Sequence, residues 1–598
     1  MSAHARRATT VLNAVVLAVL ATLLCGAGSA AAAPARSPSA RAASVSPDQV
    51  PAGTVRARIT GAPILGTSGR NITPAAAAPT PIPSRSGQIA TLKAALAYMT
   101  AHYPKLADFS PGPQDIFDYG IGDLWRQGVD GAGTTVALLE GWNDPQIAQT
   151  VASFDAALHL PNPQISTVYP AGPLPSTCPA RMRVLGSYGS CQAWQGELTL
   201  DVVTAHMMAP YAKILLSVTP ADTVIPADPA QNVAPPEMME AVEDIAQNHL
   251  ANVISVSDGT GETTYPSGTA EIDAQDPGEL AAASAGIPLL GATGDCGVVQ
   301  NLAVANSQCE AAGTTPSTAT WDDSPWVTAV GGSVPNVSPE TGAKLGPDPL
   351  WHVAPPDAEF SEGAGFSAVY PHPAYQDGVA SITDSNMRSV PDLTMDAQDG
   401  TSEAAPMLAG VFALATQENG ADIGPINPAL YDTLGPVGAS DGIADVVSGN
   451  NSADKPGGSV LVPGFTAAPG FDVASGWGTL YAPAFVPSLV TATQASYQEA
   501  AARQSAQQQL SSLETRSISL TPQTVAPGST TYMSGSGFLP GYPITLSIDG
   551  SEVATLTASA LGDVTYMIDP QKLDLAPGRH TVNLQSLLVD ETAHFVSQ

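Results

Sequence analysis

Four short apolar runs recur between residues 134 and 292, with helical stretches between them. They are Thr134-Thr135-Val136-Ala137-Leu138-Leu139, Lys213-Ile214-Leu215-Leu216-Ser217-Val218, Ala251-Asn252-Val253-Ile254-Ser255-Val256-Ser257 and Ile287-Pro288-Leu289-Leu290-Gly291-Ala292. Each has the length of a strand, and its apolar residues are nearly continuous rather than alternating, so both faces are expected to be buried. Glu237 to Asn248 and Pro277 to Ala285 read as helices. Strands alternating with helices predict an α/β fold: a parallel sheet with helices covering both faces.

The rest of the chain divides around that unit. Arg6 and Arg7, the apolar run Val11 to Leu24 and the small residues Ala27 to Ala33 form a secretory signal, residues 1–33. The apolar run is too short for a comfortable membrane span, and no second one follows, so a secreted, extracellular protein without membrane attachment is expected. Residues 34–112, rich in Ala, Pro, Ser and Thr, read as a short, largely irregular leader or reduced pro-region, with one short helix over Ile89 to Tyr103. The α/β unit is assigned to 113–488. Residues 489–515, rich in Ala and Gln, read as a helical linker. Residues 516–598 alternate apolar and polar positions between Gly and Pro turns, which predicts a β-sandwich. The segment Gly535-Ser536-Gly537-Phe538-Leu539-Pro540-Gly541 in that region resembles bacterial immunoglobulin-like modules.

Composition narrows the partners. The chain carries 54 acidic and 21 basic residues, a net charge of −33, which repels phosphate backbones and excludes nucleic acid as a partner. Cys178, Cys191, Cys296 and Cys309 follow the signal, an even number that implies disulfides in an exported protein. Three pairings exist. The local one, Cys178–Cys191 with Cys296–Cys309, is preferred because it closes two similar loops. A zinc site has no C-x-x-C pair or nearby His to support it.

Three segments carry chemistry. In Gly400-Thr401-Ser402-Glu403-Ala404-Ala405-Pro406 a serine stands where a loop enters a helix. Such a serine is either an N-cap or a nucleophile beside free N–H groups that favour an oxyanion. The Gly-Thr-Ser-x-x-x-Pro spacing is shared with subtilisin-like hydrolases. None of the nine histidines sits in a matching His-Gly-Thr element, and His206 reads as a packed helical residue. A different base is at hand in Gly196-Glu197-Leu198-Thr199-Leu200-Asp201-Val202-Val203. If this segment is helical, Glu197 and Asp201 share one face among apolar neighbours, and two carboxyls there must share a proton. In Ala292-Thr293-Gly294-Asp295-Cys296-Gly297, Asp295 follows a strand and falls in the ligand crevice of an open α/β sheet.

Taken together, Glu197-x-x-x-Asp201, Asp295 and Ser402 occur in the order seen in the sedolisins, serine-carboxyl peptidases of subtilisin-like fold. Ser324 to Gly332, Phe360 to Ser367 and Val390-Pro391-Asp392 extend the resemblance over residues 113–488. It implies an acid-acting endopeptidase acting on protein or peptide substrates. Ser402 would be the nucleophile, Glu197 the base, Asp201 its orienting partner and Asp295 the oxyanion donor. It also implies one structural Ca²⁺. Asp445 and Asp472 would bind it by side chains, and Val446, Ala468 and Gly470 by carbonyls. A monomer is expected, with the terminal sandwich free to bind a surface ligand. The alternative is a non-catalytic relative that binds protein or glycan. Against the resemblance, the leader is short, only nine residues separate Asp392 from Ser402, and Asp258 stands where relatives often place an aromatic residue.

Overall fold

The apolar runs form strands because they are rich in Val, Leu and Ile and contain no internal breaker. The computed structural model describes residues 73–74, 83–106, 110–179, 190–219, 236–265, 268–300, 309, 314–353, 360–455, 459–513, 516–559, 561–586 and 589–598. Residues 1–33, expected to be a signal, and all of the expected leader but 73–74, 83–106 and 110–112, lie outside these residues. Seven parallel strands make the main sheet: β1 (Thr135–Glu140), β2 (Gln164–Val168), β3 (Lys213–Val218), β4 (Val253–Val256), β5 (Leu289–Ala292), β6 (Thr328–Ser333) and β7 (Leu393–Asp396). Their spatial order is β2-β3-β1-β4-β5-β6-β7, and a two-residue strand at Thr73–Pro74 pairs antiparallel with β2. In β1, Leu138 lies between Leu216 of β3 and Ser255 of β4.

Alternate side chains of one strand point to opposite faces, and β1 shows the consequence. Val136 and Leu138 enter one buried cluster, Ala137 and Leu139 the other. On the first face lie α2 (Cys191–Met208) and α5 (Thr401–Asn419), through Leu198, Val202, Leu408 and Phe412. On the second lie α3 (Glu237–Gln247) and α4 (Asp276–Ala285), through Met238, Val242, Ile245 and Ala282.

Two segments assigned outside the α/β unit pack against it. The leader helix, α1, is longer than expected (Arg85–Leu106). It buries Leu92, Ala95, Leu96 and Met99 in the first cluster, so the division at 112 cuts through a continuous core. Its apolar stripe was visible, but sequence alone did not show what it would cover. The segment assigned as a helical linker also packs on the unit. It is two helices, α6 (Ala482–Ala495) and α7 (Tyr497–Ser512). Phe485, Val486 and Leu489 of α6 join the first cluster, and Ala506 of α7 packs on Leu280 and Ala283 of α4.

Residues 516–598 form a three-stranded and a five-stranded sheet that share one buried core, including Ile518, Met533, Ile544, Leu546, Leu584 and Phe595. Leu539 and Tyr542 of this region pack with Tyr265, Ile272 and Tyr370 of the α/β unit. Both local disulfides, Cys178–Cys191 and Cys296–Cys309, are present. Among the described residues, no helix is long and apolar enough to cross a membrane.

Candidate active site

The carboxyl-bearing helix begins at a sequence-coded cap. Ser190 Oγ accepts from the Ala193 N–H at 3.1 Å, and Cys191 ties this end to Cys178. From there α2 presents Glu197 and Asp201 one turn apart. Asp201 is fully buried and Glu197 half-buried. Burial pushes the Glu197 carboxyl up to about 8; a hydrogen bond with the Ser402 hydroxyl partly offsets this, while Asp295 and Asp258 add to it. Burial likewise holds Asp201 well above the usual carboxyl range, with Glu197 adding to the effect and Ser257 opposing it.

Ser402 is the second residue of α5. Gly400 precedes the helix at φ 98°, a left-handed conformation that favours glycine, and a Cβ there would sit 2.7 Å from Asp295 Oδ2. That close approach brings Asp295 to the helix N-terminus. The Thr401 N–H and the Thr401 hydroxyl both donate to Asp295 Oδ1 at 2.9 Å, and the Gly294 N–H donates to Thr401 Oγ1 at 3.0 Å. Burial raises the Asp295 pKa, and its bonds to Thr401 oppose the rise. The Ser257 hydroxyl reaches the Ser402 carbonyl at 3.4 Å. α2, the residues just after β4 and β5 and the start of α5 thus bring Glu197, Asp201, Asp295 and Ser402 within electrostatic reach of one another. His206 is fully buried and faces Asp155, its Nε2 at 3.0 Å from Asp155 Oδ1.

Sequence reasoning missed two groups of acids. Glu140 ends β1, fully buried, and is raised by burial first and then by Asp201 and Glu197. A lone acid closing an apolar central strand was the available signal. Asp115, Asp396 and Glu403 come from distant segments, and their carboxyl oxygens lie within 4.8 Å of one another. Only the tertiary fold makes that meeting visible.

Asp445 and Asp472, expected to bind calcium, each accept backbone N–H groups from residues 468–475. Asp445 Oδ2 accepts from the Gly470 N–H at 2.8 Å, and Asp472 Oδ2 accepts from the Ala468 N–H at 2.8 Å. The Ala474 and Ser475 N–H groups donate to Asp472 Oδ1 at 2.8 and 2.9 Å. Asp445 Oδ1 is buried with no hydrogen-bond partner, which fits an oxygen left for a cation. Hard carboxylate oxygens, with the carbonyls of Val446, Ala468 and Gly470 on the same loops, suit Ca²⁺.

Residues 204–429 match the model of the subtilase family, a span that includes Asp295 and Ser402 and begins after Glu197 and Asp201. Tripeptidyl-peptidase 1 of Canis lupus familiaris is 26% identical over 275 residues, 41% of this chain and 44% of that protein. The Homo sapiens protein of the same name is 26% identical over 277 residues, with the same coverage. The matched part of the chain thus spans less than half the length of these relatives. Among solved structures, Pseudomonas sedolisin, a serine-carboxyl proteinase complexed with two molecules of pseudo-iodotyrostatin, aligns with a TM-score of 0.48 and 24% identity. That alignment covers 60% of this chain and 94% of that one. From its strand order, the subtilase match and the tripeptidyl-peptidase relatives, the chain has a sedolisin-like subtilisin fold.

Proposed function

We propose that this chain is a secreted serine-carboxyl endopeptidase that hydrolyses peptide bonds at acid pH. The observation that carries the reading is Asp295 seated on Thr401 at the start of α5, with the Ser402 hydroxyl close enough to Glu197 to oppose the rise of its carboxyl. Ser402 Oγ attacks the peptide carbonyl carbon as Glu197 takes the hydroxyl proton. The oxyanion is met by the Ser402 N–H and by the proton of a neutral Asp295. The C–N bond then breaks, Glu197 hands its proton to the leaving amine, and a water activated by Glu197 cleaves the resulting ester. Asp201 orients Glu197. These carboxyls titrate as a set. Burial raises Glu197 to about 8, so the working form, with Glu197 ionised and Asp295 neutral, requires the coupled set to keep its proton on Asp295; activity then falls towards neutrality as that proton is lost.

Calcium on Asp445, Asp472 and the carbonyls of Val446, Ala468 and Gly470 would hold two loops together without entering the chemistry. The reading also includes export by the residue 1–33 signal, an immunoglobulin-like sandwich at 516–598 with its own surface ligand, and a monomeric state. The test is casein digestion from about pH 3 to about pH 8 by the full chain, Ser402→Ala and Glu197→Gln. Acid-peaked activity that both substitutions abolish supports the reading. Wild-type inactivity at every pH supports the non-catalytic binding alternative. A peak near the alkaline end that survives Glu197→Gln refutes the carboxyl base. Cleavage of amino-blocked peptides separates endopeptidase action from release of short amino-terminal fragments.

A further inference from the structure

Asp258 lies just beyond the end of β4, one residue after the serine whose hydroxyl touches the Ser402 carbonyl. An acid there is unexpected on packing grounds. It follows Val253-Ile254-Ser255-Val256, which is wholly buried, and it is itself only partly exposed. The next residues turn into a short antiparallel pairing of Thr260 with Thr320, where the Gly259 backbone passes close to the Thr320 carbonyl. Tyr265 closes this side with its hydroxyl 2.8 Å from Thr320 Oγ1. Asp258 Oδ1 accepts from the Gly259 N–H at 2.8 Å, which explains one oxygen as a turn device. Among the described residues, nothing pairs with Oδ2 and no Lys, Arg or His forms an ion pair with this carboxyl. Glu197 lies within electrostatic reach, so the neighbouring titratable group is another acid and supplies no positive charge. A partly buried carboxyl without a cation is costly to ionise, and a positively charged ligand offsets that cost.

We propose that Asp258 is a specificity-determining residue that accepts a positive charge on the substrate close to the bond presented to Ser402. The proposal rests on the peptidase reading and adds a substrate class to it: peptides with a cationic group near the cleaved bond. That cation is either a Lys or Arg side chain or the free terminal amine of a short peptide. Burial raises Asp258 to about 6; a cation beside it favours the ionised form, and the carboxylate then holds that cation through a charge-assisted hydrogen bond.

The experiment uses the full chain, Asp258→Asn and Asp258→Glu. Three matched peptides serve as probes: an amino-blocked one with lysine near the cleaved bond, an amino-blocked one with glutamine in its place, and the glutamine peptide with a free amine. The readout is the charged-to-neutral ratio of kcat/KM. It should fall about tenfold or more in Asp258→Asn and recover in Asp258→Glu. Whichever charged peptide shows the loss identifies the source of the cation. An unchanged ratio in Asp258→Asn overturns the proposal. Labelled versions of the same peptides are also titrated against Ser402→Ala, with and without Asp258→Asn. If the wild type cleaves nothing, this binding test decides. Charge preference that disappears with Asp258→Asn keeps the acceptor while the peptidase reading falls; equal binding of all three overturns the acceptor.

Discussion

At the scale of single residues, two positions turn the geometry into sharp expectations. Gly400 has a left-handed φ, and a Cβ there would press on Asp295 Oδ2 at 2.7 Å. Gly400→Ala should therefore displace the proposed oxyanion donor. Loss of such a donor costs about a hundredfold or more in kcat. Circular dichroism should show the fold retained, and an unchanged kcat would refute the placement of Asp295. The second position is a fully buried ion pair. Arg388 Nη1 donates to Asp392 Oδ1 at 2.8 Å and Nη2 to Oδ2 at 2.6 Å; the Ala329 N–H and the Tyr431 hydroxyl, each at 2.8 Å, complete the Asp392 carboxyl. Removing one partner of such a pair leaves the other charge buried and uncompensated, at a cost of about 3–5 kcal/mol. Asp392→Asn should lower the denaturant midpoint accordingly, while Arg and Asp exchanged together should not restore it, because the backbone donor to Asp392 stays where it is.

At the scale of elements, periodicity and its absence decided what could be read in advance. Strand β3 matches its sequence run end to end, and β1, β4 and β5 fall within a residue or two of theirs, because doubly buried strands are nearly continuous apolar runs. The edge strand β2, Gln-Ile-Ser-Thr-Val, is half polar and carries no such mark. Strand β7 hides in the nine residues between Asp392 and Ser402. The spacing of Glu197 and Asp201 was legible because a helix puts i and i+4 on one face. Glu140 was not, because what it meets is set by strand order. The loops proposed to hold calcium are an element-scale arrangement too, and they support a measurement. Calcium at about a hundred times its dissociation constant stabilises by about 2.7 kcal/mol. A chelator should therefore lower the melting temperature of the calcium-loaded protein by about a few degrees. Asp445→Asn should abolish that difference. A melting temperature indifferent to both calcium and chelator would remove the ion from the loops.

Across the whole molecule, the acids are placed unlike those of most folded proteins, where paired carboxylates make acid the destabilising condition. Here burial pushes Asp115 up to about 8, Asp118 and Asp276 to about 7, and Asp258 and Asp399 to about 6. Burial also raises Glu140, Glu279, Asp322, Asp323, Glu362, Asp396 and Glu403 well above the usual range. Asp549 and Asp569 shift the opposite way, but both are at the surface, where such effects are screened. The unfolded chain releases these protons near pH 4, whereas the folded chain keeps those of Asp115, Asp118, Asp276, Asp258 and Asp399 to about pH 6–8 and holds the others above the usual carboxyl range. Between those limits the native state binds more protons, so stability falls as pH rises, by up to about 1.4 kcal/mol per pH unit for each group that titrates alone. The stabilisation is complete below the unfolded values and is lost as pH passes through the folded ones. Urea unfolding at a series of pH values should therefore give a midpoint that is highest in mild acid and declines steadily towards pH 8. Asp115→Asn should flatten the decline, since an amide preserves the shape and has no proton to lose. A midpoint that rises from acid to neutral pH would mean that these carboxyls are ionised in the folded protein. The neutral Asp295 on which the proposed chemistry depends would then lose its physical basis.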